Sequence, residues 1–101
     1  MSAAAFFAGL EARVDASKIG GIDNSYLFDV TDEGQWLVEV RNGSVNVSDG
    51  AGRDADVRIE VSSAVFDRIA SGEQNPATAY MTGKLKIHGD IGAAMKLQKL
   101  F

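Results

Sequence analysis

The chain has 101 residues, a formal net charge of -4 and no cysteine. A chain of this length builds one core, so we expect a single domain over residues 1–101. A hydrophobic fraction of 46% is typical of globular proteins and argues against wholesale disorder. The absence of cysteine excludes disulfides, thiolate metal sites and cysteine nucleophiles. No apolar run is long enough to span a bilayer and no secretory leader is recognisable, which predicts a cytoplasmic location.

The N-terminal segment AAAFFAGLEARV, residues 3–14, predicts an amphipathic helix because its large apolar side chains recur at helical spacing. From Tyr26 the apolar period changes to two, which is typical of a strand with one buried face. A second run of this kind begins at Trp36, and residues 32–34 between the two runs suit a turn. The two runs therefore predict a hairpin with one apolar face.

Two more strands are predicted from the same alternation. Asn42 and Gly43 suit the positive φ angles of a tight turn, and a third strand follows them. After a polar, glycine-containing loop at residues 48–55, the alternation over residues 57–61 predicts a fourth strand. We expect these four strands to form an antiparallel meander.

The second half of the chain returns to helical patterns. Ser62 or Ser63 suits the N-cap of a helix that ends near Gly72. Asn75 followed by Pro76 predicts the start of the next helix, since proline at the first helical position loses no hydrogen bond.

A fifth strand and a last helix complete the predicted order. The alternation in KLKIH, residues 84–88, places leucine and isoleucine on one face and the basic side chains on the other. Asp90 suits the N-cap of a final helix with a wide apolar stripe. This helix must cover either an ordinary core or a space made for a ligand.

The charge of the chain is unevenly distributed. Residues 81–101 contain one acidic residue, Asp90, and carry +3, whereas the remainder carries -7. The basic residues of this segment are Lys84, Lys86, Lys96 and Lys99. They are either an ordinary solvated face or a surface for transient contact with an anionic membrane or a lipid-metabolising enzyme. The acidic chain argues against a nucleic-acid partner.

The segment MTGKLKIHGDIGAAMKL, Met81–Leu97, resembles the signature of the sterol carrier protein type 2 domain family. ADVRIEVSSAVFDRIASGEQNPATAYMTGK, residues 55–84, also follows the pattern of that family. The resemblance implies an α+β fold: a five-stranded, mostly antiparallel sheet, covered on one face by helices that enclose an apolar cavity. It also implies a non-catalytic carrier of fatty acids, fatty acyl-CoA, sterols or similar lipids. Lys99, Leu100 and Phe101 differ from the peroxisomal tripeptide, so a free-standing member of bacterial type is expected.

The candidate ligand-binding residues are apolar side chains that periodicity places inward, although periodicity does not separate a cavity wall from core packing. They are Phe28, Trp36, Val38, Val57, Ile59, Phe66, Ile69, Tyr80, Met81, Leu85, Ile87, Met95 and Leu100. We expect the last helix to be a movable cover, with Gly89 and Gly92 either permitting its movement or satisfying a turn. An empty cavity of about 300 Å³ would cost about 7 kcal/mol, so a partly collapsed or lipid-filled cavity is expected.

Catalytic, metal and cofactor functions are not expected. His88 is the single histidine, and no serine and carboxylate accompany it in a recognisable motif. The acidic residues of the loop at 48–55 do not follow calcium-loop spacing, and its glycines lack the context of a dinucleotide site.

Two other classes of function stay open. One is an accessory module that presents a lipid-like intermediate, such as a quinone precursor, to enzymes. The other is a structural domain that forms a homodimer.

Overall fold

The computed structural model describes residues 3–96, which form one five-stranded sheet and five helices. The elements in chain order are α1 (Ala3–Arg13), α2 (Ala16–Ile19), β1 (Asn24–Val30), β2 (Gly34–Arg41), β3 (Ser44–Asp49), β4 (Val57–Val61), α3 (Ser63–Ala70), α4 (Pro76–Met81), β5 (Leu85–Gly89) and α5 (Ile91–Lys96). No helix among these residues is long and apolar enough to cross a membrane.

The strand order across the sheet is β3-β2-β1-β4-β5. Three neighbouring pairs are antiparallel, and β1 and β4 are parallel. The predicted α+β fold with a mostly antiparallel sheet is therefore confirmed. The predicted meander of the first four strands is wrong, because β4 lies beside β1 and not beside β3.

The chain between β3 and β4 returns across the outer face of the sheet. This path brings β4 beside β1. The amide of Gly50 donates to the carbonyl oxygen of Gln35 at 3.1 Å. A Cβ atom at Gly50 would lie 2.5 Å from Cδ1 of Leu27, so only glycine allows this close approach. Leu27 and Leu37 are consequently buried. The expectation that the first hairpin has a single apolar face was wrong for this part of the sheet.

The inner face of the sheet packs against helices through a cluster of aromatic rings. Phe7 of α1 lies with its ring centroid 5.0 Å from the ring of Phe28 and 5.0 Å from that of Trp36. Its centroid lies 5.3 Å from that of Phe66 in α3. These rings join α1, the sheet and α3 into one core.

The predicted helix starts in the second half of the chain are confirmed. The side chain of Ser62 accepts a hydrogen bond from the amide of Val65 at 3.3 Å and caps α3. Oδ1 of Asn75 accepts one from the amide of Ala77 at 2.8 Å and caps α4, which begins at Pro76. These caps satisfy amides that have no partner within the helix.

The short helix α2 was missed, because four residues are too few to show a helical period. Oδ1 of Asp15 accepts hydrogen bonds from the amide and the hydroxyl of Ser17, at 3.0 and 2.7 Å. The helix ends at Ile19, which is fully buried. The turn that follows α2 leads the chain into β1.

Helix α1 lies along β3, a strand at one edge of the sheet. Oε2 of Glu11 accepts a hydrogen bond from the backbone amide of Val47 at 2.7 Å. Val45 and Val47 are half-buried against the core, as their alternation predicts.

Candidate functional site

An apolar cavity lies between strands β4 and β5 and helices α3, α4 and α5, with a volume of about 40 Å³. Its wall is formed by Phe28, Ile59, Val61, Phe66, Ile69, Pro76, Ala77, Leu85, Ile87, Ala94 and Met95. All these residues are apolar, so the cavity offers dispersion contacts and no charge to a ligand.

The register of β4 and β5 builds the floor of the cavity. Ile59 faces Ile87, and Val61 faces Leu85, on adjacent antiparallel strands. Side chains directly opposite each other on one face of a sheet are in contact, so these two pairs form a continuous aliphatic surface. The alternation of polar residues along both strands places the four side chains on this face.

Seven of the thirteen candidate residues line the cavity. These are Phe28, Ile59, Phe66, Ile69, Leu85, Ile87 and Met95. One further candidate, Leu100, lies outside the described residues. The geometry brings the seven together around one space; their contact with a ligand stays a prediction.

Three other candidates lie in the core or, for Trp36, half-buried against it. Val38 and Val57 are fully buried on either side of Tyr26, with which both are in register. The ring of Trp36 stacks on that of Phe7. Their inward orientation was predicted from the sequence, but the structure places them outside the cavity wall.

The two remaining candidates, Tyr80 and Met81, lie at the end of α4 and do not line the cavity. The side chain of Met81 is 82% exposed and that of Tyr80 is 36% exposed. The apolar pattern of this short helix does not show which of its residues face the sheet. Ala79 is the buried residue of α4.

Four wall residues were not among the candidates. Val61 was recognised in the strand pattern, and Pro76 only in its capping context. Ala77 and Ala94 have small side chains, which give no strong periodic signal. Alanine is nevertheless suited to a cavity wall, since it leaves space that a larger side chain would fill.

The volume of the cavity limits what it holds in this conformation. About 40 Å³ accommodates a few water molecules at most, whereas ligand pockets begin at about 300 Å³. This small volume agrees with the expected partial collapse. A lipid chain therefore requires part of the wall to move.

Within residues 3–96, a buried hydrogen bond and two small side chains hold helix α5 against the sheet. The hydroxyl of Tyr26 donates to the carbonyl oxygen of Ala93 at 2.8 Å. Burial raises the pKa of Tyr26 to about 12, and the negative charges of Asp56 and Asp90 add to this shift. Ala93 and Ala94 are buried beneath the helix. The alternation of β1 predicted that Tyr26 points inward, but nothing in the sequence identified the partner of its hydroxyl.

The junction between β5 and α5 is tightly packed. Gly89 has φ +105°, and a Cβ atom there would lie 2.3 Å from the carbonyl oxygen of Asp56. Oδ1 of Asp90 accepts a hydrogen bond from the amide of Ala93 at 3.1 Å, which is the predicted N-cap. Glycine at position 89 is therefore required by a positive φ and a close backbone approach.

The polar face of the sheet contains the single histidine of the chain and two ion pairs. Nε2 of His88 lies 3.4 Å from Oε1 of Glu60, and the histidine side chain is exposed. Arg58 forms an ion pair with Asp29 at 2.7 Å. Within residues 3–96 no group of three or more histidine, cysteine or acidic side chains is placed to hold a metal ion.

Three lysines of the C-terminal segment adjoin cavity-wall residues along the chain, and Lys86 is in register with Glu60, on the face of β5 opposite to the cavity. Lys84, Lys86 and Lys96 are exposed. Lys84 and Lys86 flank the wall residue Leu85 along the chain, and Lys96 follows Met95. Lys99 lies outside the described residues.

Comparison with known proteins places the chain in one family. The sequence model of the SCP-2 sterol transfer family matches residues 6–101. Sterol carrier protein 2 of Bos taurus is 41% identical over 88 residues, which cover 82% of this chain and 16% of that protein.

Two solved structures show the same fold. The sec-alkylsulfatase Pisa1 from Pseudomonas sp. matches with a TM-score of 0.81 and 26% identity, over 95% of this chain and 16% of the enzyme. The sterol carrier protein domain 2 of Helicoverpa armigera matches with a TM-score of 0.74 and 28% identity, over 95% of this chain and 82% of that chain. The matched chain is thus a small part of the bovine protein and of the sulfatase, and a large part of the insect domain.

Proposed function

The chain belongs to the SCP-2 sterol transfer family, and on this premise we propose that it binds a fatty acid, fatty acyl-CoA, sterol or similar lipid without catalysing a reaction on it. The observation that carries the proposal is the cavity between β4, β5 and α3–α5, whose wall consists of apolar side chains. Such a wall suits a hydrocarbon chain and gives no specific site for a polar group.

The energetics of such binding are favourable. Burial of about fifteen methylene groups contributes roughly 12 kcal/mol, at about 0.8 kcal/mol for each. Loss of translational and conformational freedom opposes this by about 4 to 15 kcal/mol. Micromolar dissociation constants, which correspond to about 8 kcal/mol, are within this range.

We propose that α5 is the part of the wall that moves. It has six described residues, and the contacts that hold it to the sheet are the hydroxyl of Tyr26 and the buried side chains of Ala93 and Ala94. Displacement of α5 removes Ala94 and Met95 from the wall and leaves the sheet, α3 and α4 in place. The cavity can then enlarge without loss of the aromatic core.

Native mass spectrometry of the freshly purified protein tests the proposal. We expect either a discrete adduct, identified after extraction into organic solvent, or a new adduct after incubation with fatty acids, acyl-CoA or sterols. A mass that stays at the value for the protein alone with all three ligand classes would contradict the proposal.

A second candidate function is that of an accessory module. The match to 16% of a sec-alkylsulfatase favours it, since a domain of this fold occurs there within a larger enzyme. In this role the cavity would present a lipid-like intermediate to a partner enzyme. Co-purification with biosynthetic enzymes in a lipid-dependent manner would distinguish this role from that of a free carrier.

A further inference from the structure

The two edges of the sheet differ in what covers them. Strand β3 forms one edge, and the carboxylate of Glu11 accepts a hydrogen bond from its Val47 amide at 2.7 Å. Strand β5 forms the other edge, and Lys86, His88 and Gly89 along it are exposed. Unpaired backbone groups on an exposed edge can pair with a further extended chain.

The pairing of β5 with β4 shows which backbone groups of β5 point outward. Residues that face each other on antiparallel strands alternate between hydrogen-bonded and non-hydrogen-bonded pairs. The carbonyl oxygen of Val61 accepts a hydrogen bond from the amide of Thr31 at 3.0 Å, on the β1 side of the strand. Val61 therefore does not bond to Leu85, the residue opposite it on β5. The backbone groups that point away from β4, which we call the β5 edge, belong to Leu85, Ile87 and Gly89.

Within the part of the chain that the structure describes, no hydrogen bond satisfies the amides of the β5 edge. The same alternation holds at the other edge of the sheet. There the hydrogen bond from the amide of Gly50 to Gln35 places the amide of Val47 outward, where Glu11 accepts its hydrogen bond. The β5 edge is thus open to an additional strand, whereas a carboxylate engages the β3 edge.

The side chains beside the β5 edge are basic on one face and apolar on the other. Lys84 precedes the strand and Lys86 lies on its outer face, and both are exposed. Among residues 3–96 neither lysine forms an ion pair. The acidic residue opposite Lys86 is Glu60, whose carboxylate lies 3.5 Å from Arg58 and 3.4 Å from His88. The inner face holds the aliphatic residues of the cavity floor, Leu85 and Ile87.

We propose that the β5 edge binds an extended, acidic segment of a partner protein by strand addition. Main-chain hydrogen bonds to the β5 edge provide the affinity, and the neighbouring side chains select the sequence. Acidic side chains of the segment lie beside Lys84 and Lys86, where each pair of opposite charges is favourable. Alternate residues of the segment are apolar, since they extend the inner face of the sheet. The proposal does not depend on lipid binding, because it uses backbone groups outside the cavity.

Charge favours this partner over a second copy of the chain. In the antiparallel register that aligns the two Ile87 residues, Lys86 faces the partner's His88, and basic side chains opposite each other are destabilising. An acidic strand gains opposite-charge contacts at the same positions. Residues 76–96 contain three lysines and one acidic residue, or +2, whereas residues 1–75 contain six basic and thirteen acidic residues, or -7. An acidic segment is therefore attracted to this end of the domain and repelled by the rest.

Amide hydrogen exchange and chemical shifts test the β5 edge in the full chain. In the free protein, the amides of Leu85 and Ile87 should exchange rapidly, whereas those of Lys86 and His88, which bond to β4, should exchange slowly. The probe is a peptide of alternating glutamate and valine with blocked termini. Its addition should shift the amide resonances of the β5 edge and slow their exchange by roughly tenfold.

Two modified peptides test strand addition itself. One is methylated on the amides of its glutamates and the other on those of its valines. Each therefore lacks hydrogen-bond donors on a different edge, because successive residues of a strand point to opposite edges. One version should lose binding and the other should keep it. A peptide of alternating lysine and valine is the control for charge and should not bind.

Matched charge reversals test the contribution of the lysines. Lys86→Glu should weaken binding of the glutamate–valine peptide by roughly tenfold, since it replaces a favourable contact by a repulsive one. Lys18→Glu makes the same change at an exposed site of α2, which lies beside the turn between β2 and β3. It should change binding by less than about twofold. Equal affinity in both variants would contradict the assigned charge contacts.

Three further results would overturn the proposal. The first is the absence of peptide binding up to about 1 mM, which would show that Lys86 blocks strand addition. The second is equal affinity for the two methylated peptides. The third is slow exchange of the Ile87 amide in the free protein, which would show that a second copy or residues outside 3–96 cover the edge. Fatty-acid titration is a separate measurement, so failure of lipid binding and failure of strand addition are distinguishable.

Discussion

The hydroxyl of Tyr26 in β1 donates a 2.8 Å hydrogen bond to the carbonyl oxygen of Ala93 in α5. Tyr26 is fully buried in a central strand of the sheet, so this contact joins the most enclosed part of the core to the last described helix. It is a buried hydrogen bond between α5 and the sheet, and it must break if α5 is the wall that moves when the cavity opens.

Replacement of Tyr26 by phenylalanine should loosen α5. We expect Tyr26→Phe to lower the free energy of unfolding by about 1 kcal/mol, the usual net value of one hydrogen bond. Uptake of a fluorescent fatty acid should become faster, since opening no longer breaks this bond. Urea unfolding and stopped-flow fluorescence measure the two effects. Tyr80→Phe, at an exposed site, is the control; an uptake rate unchanged in Tyr26→Phe would exclude α5 as the gate.

The raised pKa of Tyr26 predicts a loss of stability at high pH. The folded state keeps the proton up to a pKa of about 12, whereas the unfolded chain releases it near 10.0. The unfolded state therefore binds fewer protons between these values, and the free energy of unfolding falls as the pH rises. Thermal unfolding as a function of pH measures this decline. It should be shallower in Tyr26→Phe, and an equal slope in both proteins would show that another group is responsible.

Stability at low pH should depend on Asp56. Its carboxylate accepts a hydrogen bond from the amide of Ser25 at 3.0 Å, and this bond is the main cause of its lowered pKa. Because the folded state favours the charged form, the stabilisation is present above the ordinary pKa of 3.8 and is lost as the pH falls through the folded value. Asp56→Asn should reduce the dependence of the melting temperature on acid. An acid profile identical to that of the unchanged chain would contradict this assignment.

Two methionines provide a matched test of the cavity wall. Met95 lines the cavity, whereas Met81 is exposed beyond it. Met95→Trp should fill the space and weaken fatty-acid binding by about tenfold, or ~1.4 kcal/mol, while Met81→Trp leaves affinity unchanged. Fluorescent fatty-acid titration measures affinity, and circular dichroism checks that both variants fold. Unchanged affinity in both would place the ligand elsewhere.

The close approach at Gly89 should make this position intolerant of any side chain. Gly89→Ala adds a Cβ atom 2.3 Å from the carbonyl oxygen of Asp56, at a φ of +105°. We expect a loss of about 1 to 3 kcal/mol in the free energy of unfolding. Gly21→Ala is the control, since a Cβ atom there meets no atom within 4 Å. Equal stability of the two variants in urea unfolding would contradict the close contact.

The local structure was largely predictable from the sequence, because helix caps and strand alternation are properties of neighbouring residues. Asn75 caps its helix as expected, and Ile59 points inward as expected. The pairing of β4 with β1 was not predictable in this way. It depends on the path of the loop over Leu27 and Leu37, where Gly50 lies too close to the sheet to carry a side chain.

The sequence predicts which residues point inward, but not which of them surround the cavity. Val38 and Ile59 have the same pattern, yet one lies in the core and the other in the wall. The difference is which helix covers each strand, and this is decided by tertiary packing. Met81 lies outside the wall for the same reason, since its exposure was not evident from the apolar pattern of its helix.

The hydrogen bond from the amide of Val47 to Glu11 has a consequence for how the protein behaves in a crowded solution. The unpaired amides of an edge strand can form hydrogen bonds with another extended chain, and repeated pairing of this kind leads to fibrils. Here the carboxylate of Glu11 in α1 accepts a hydrogen bond from one of those amides, that of Val47, at 2.7 Å. An incoming strand must first break a charge-assisted bond and displace α1. Glu11 therefore opposes the addition of a further strand at this edge of the sheet.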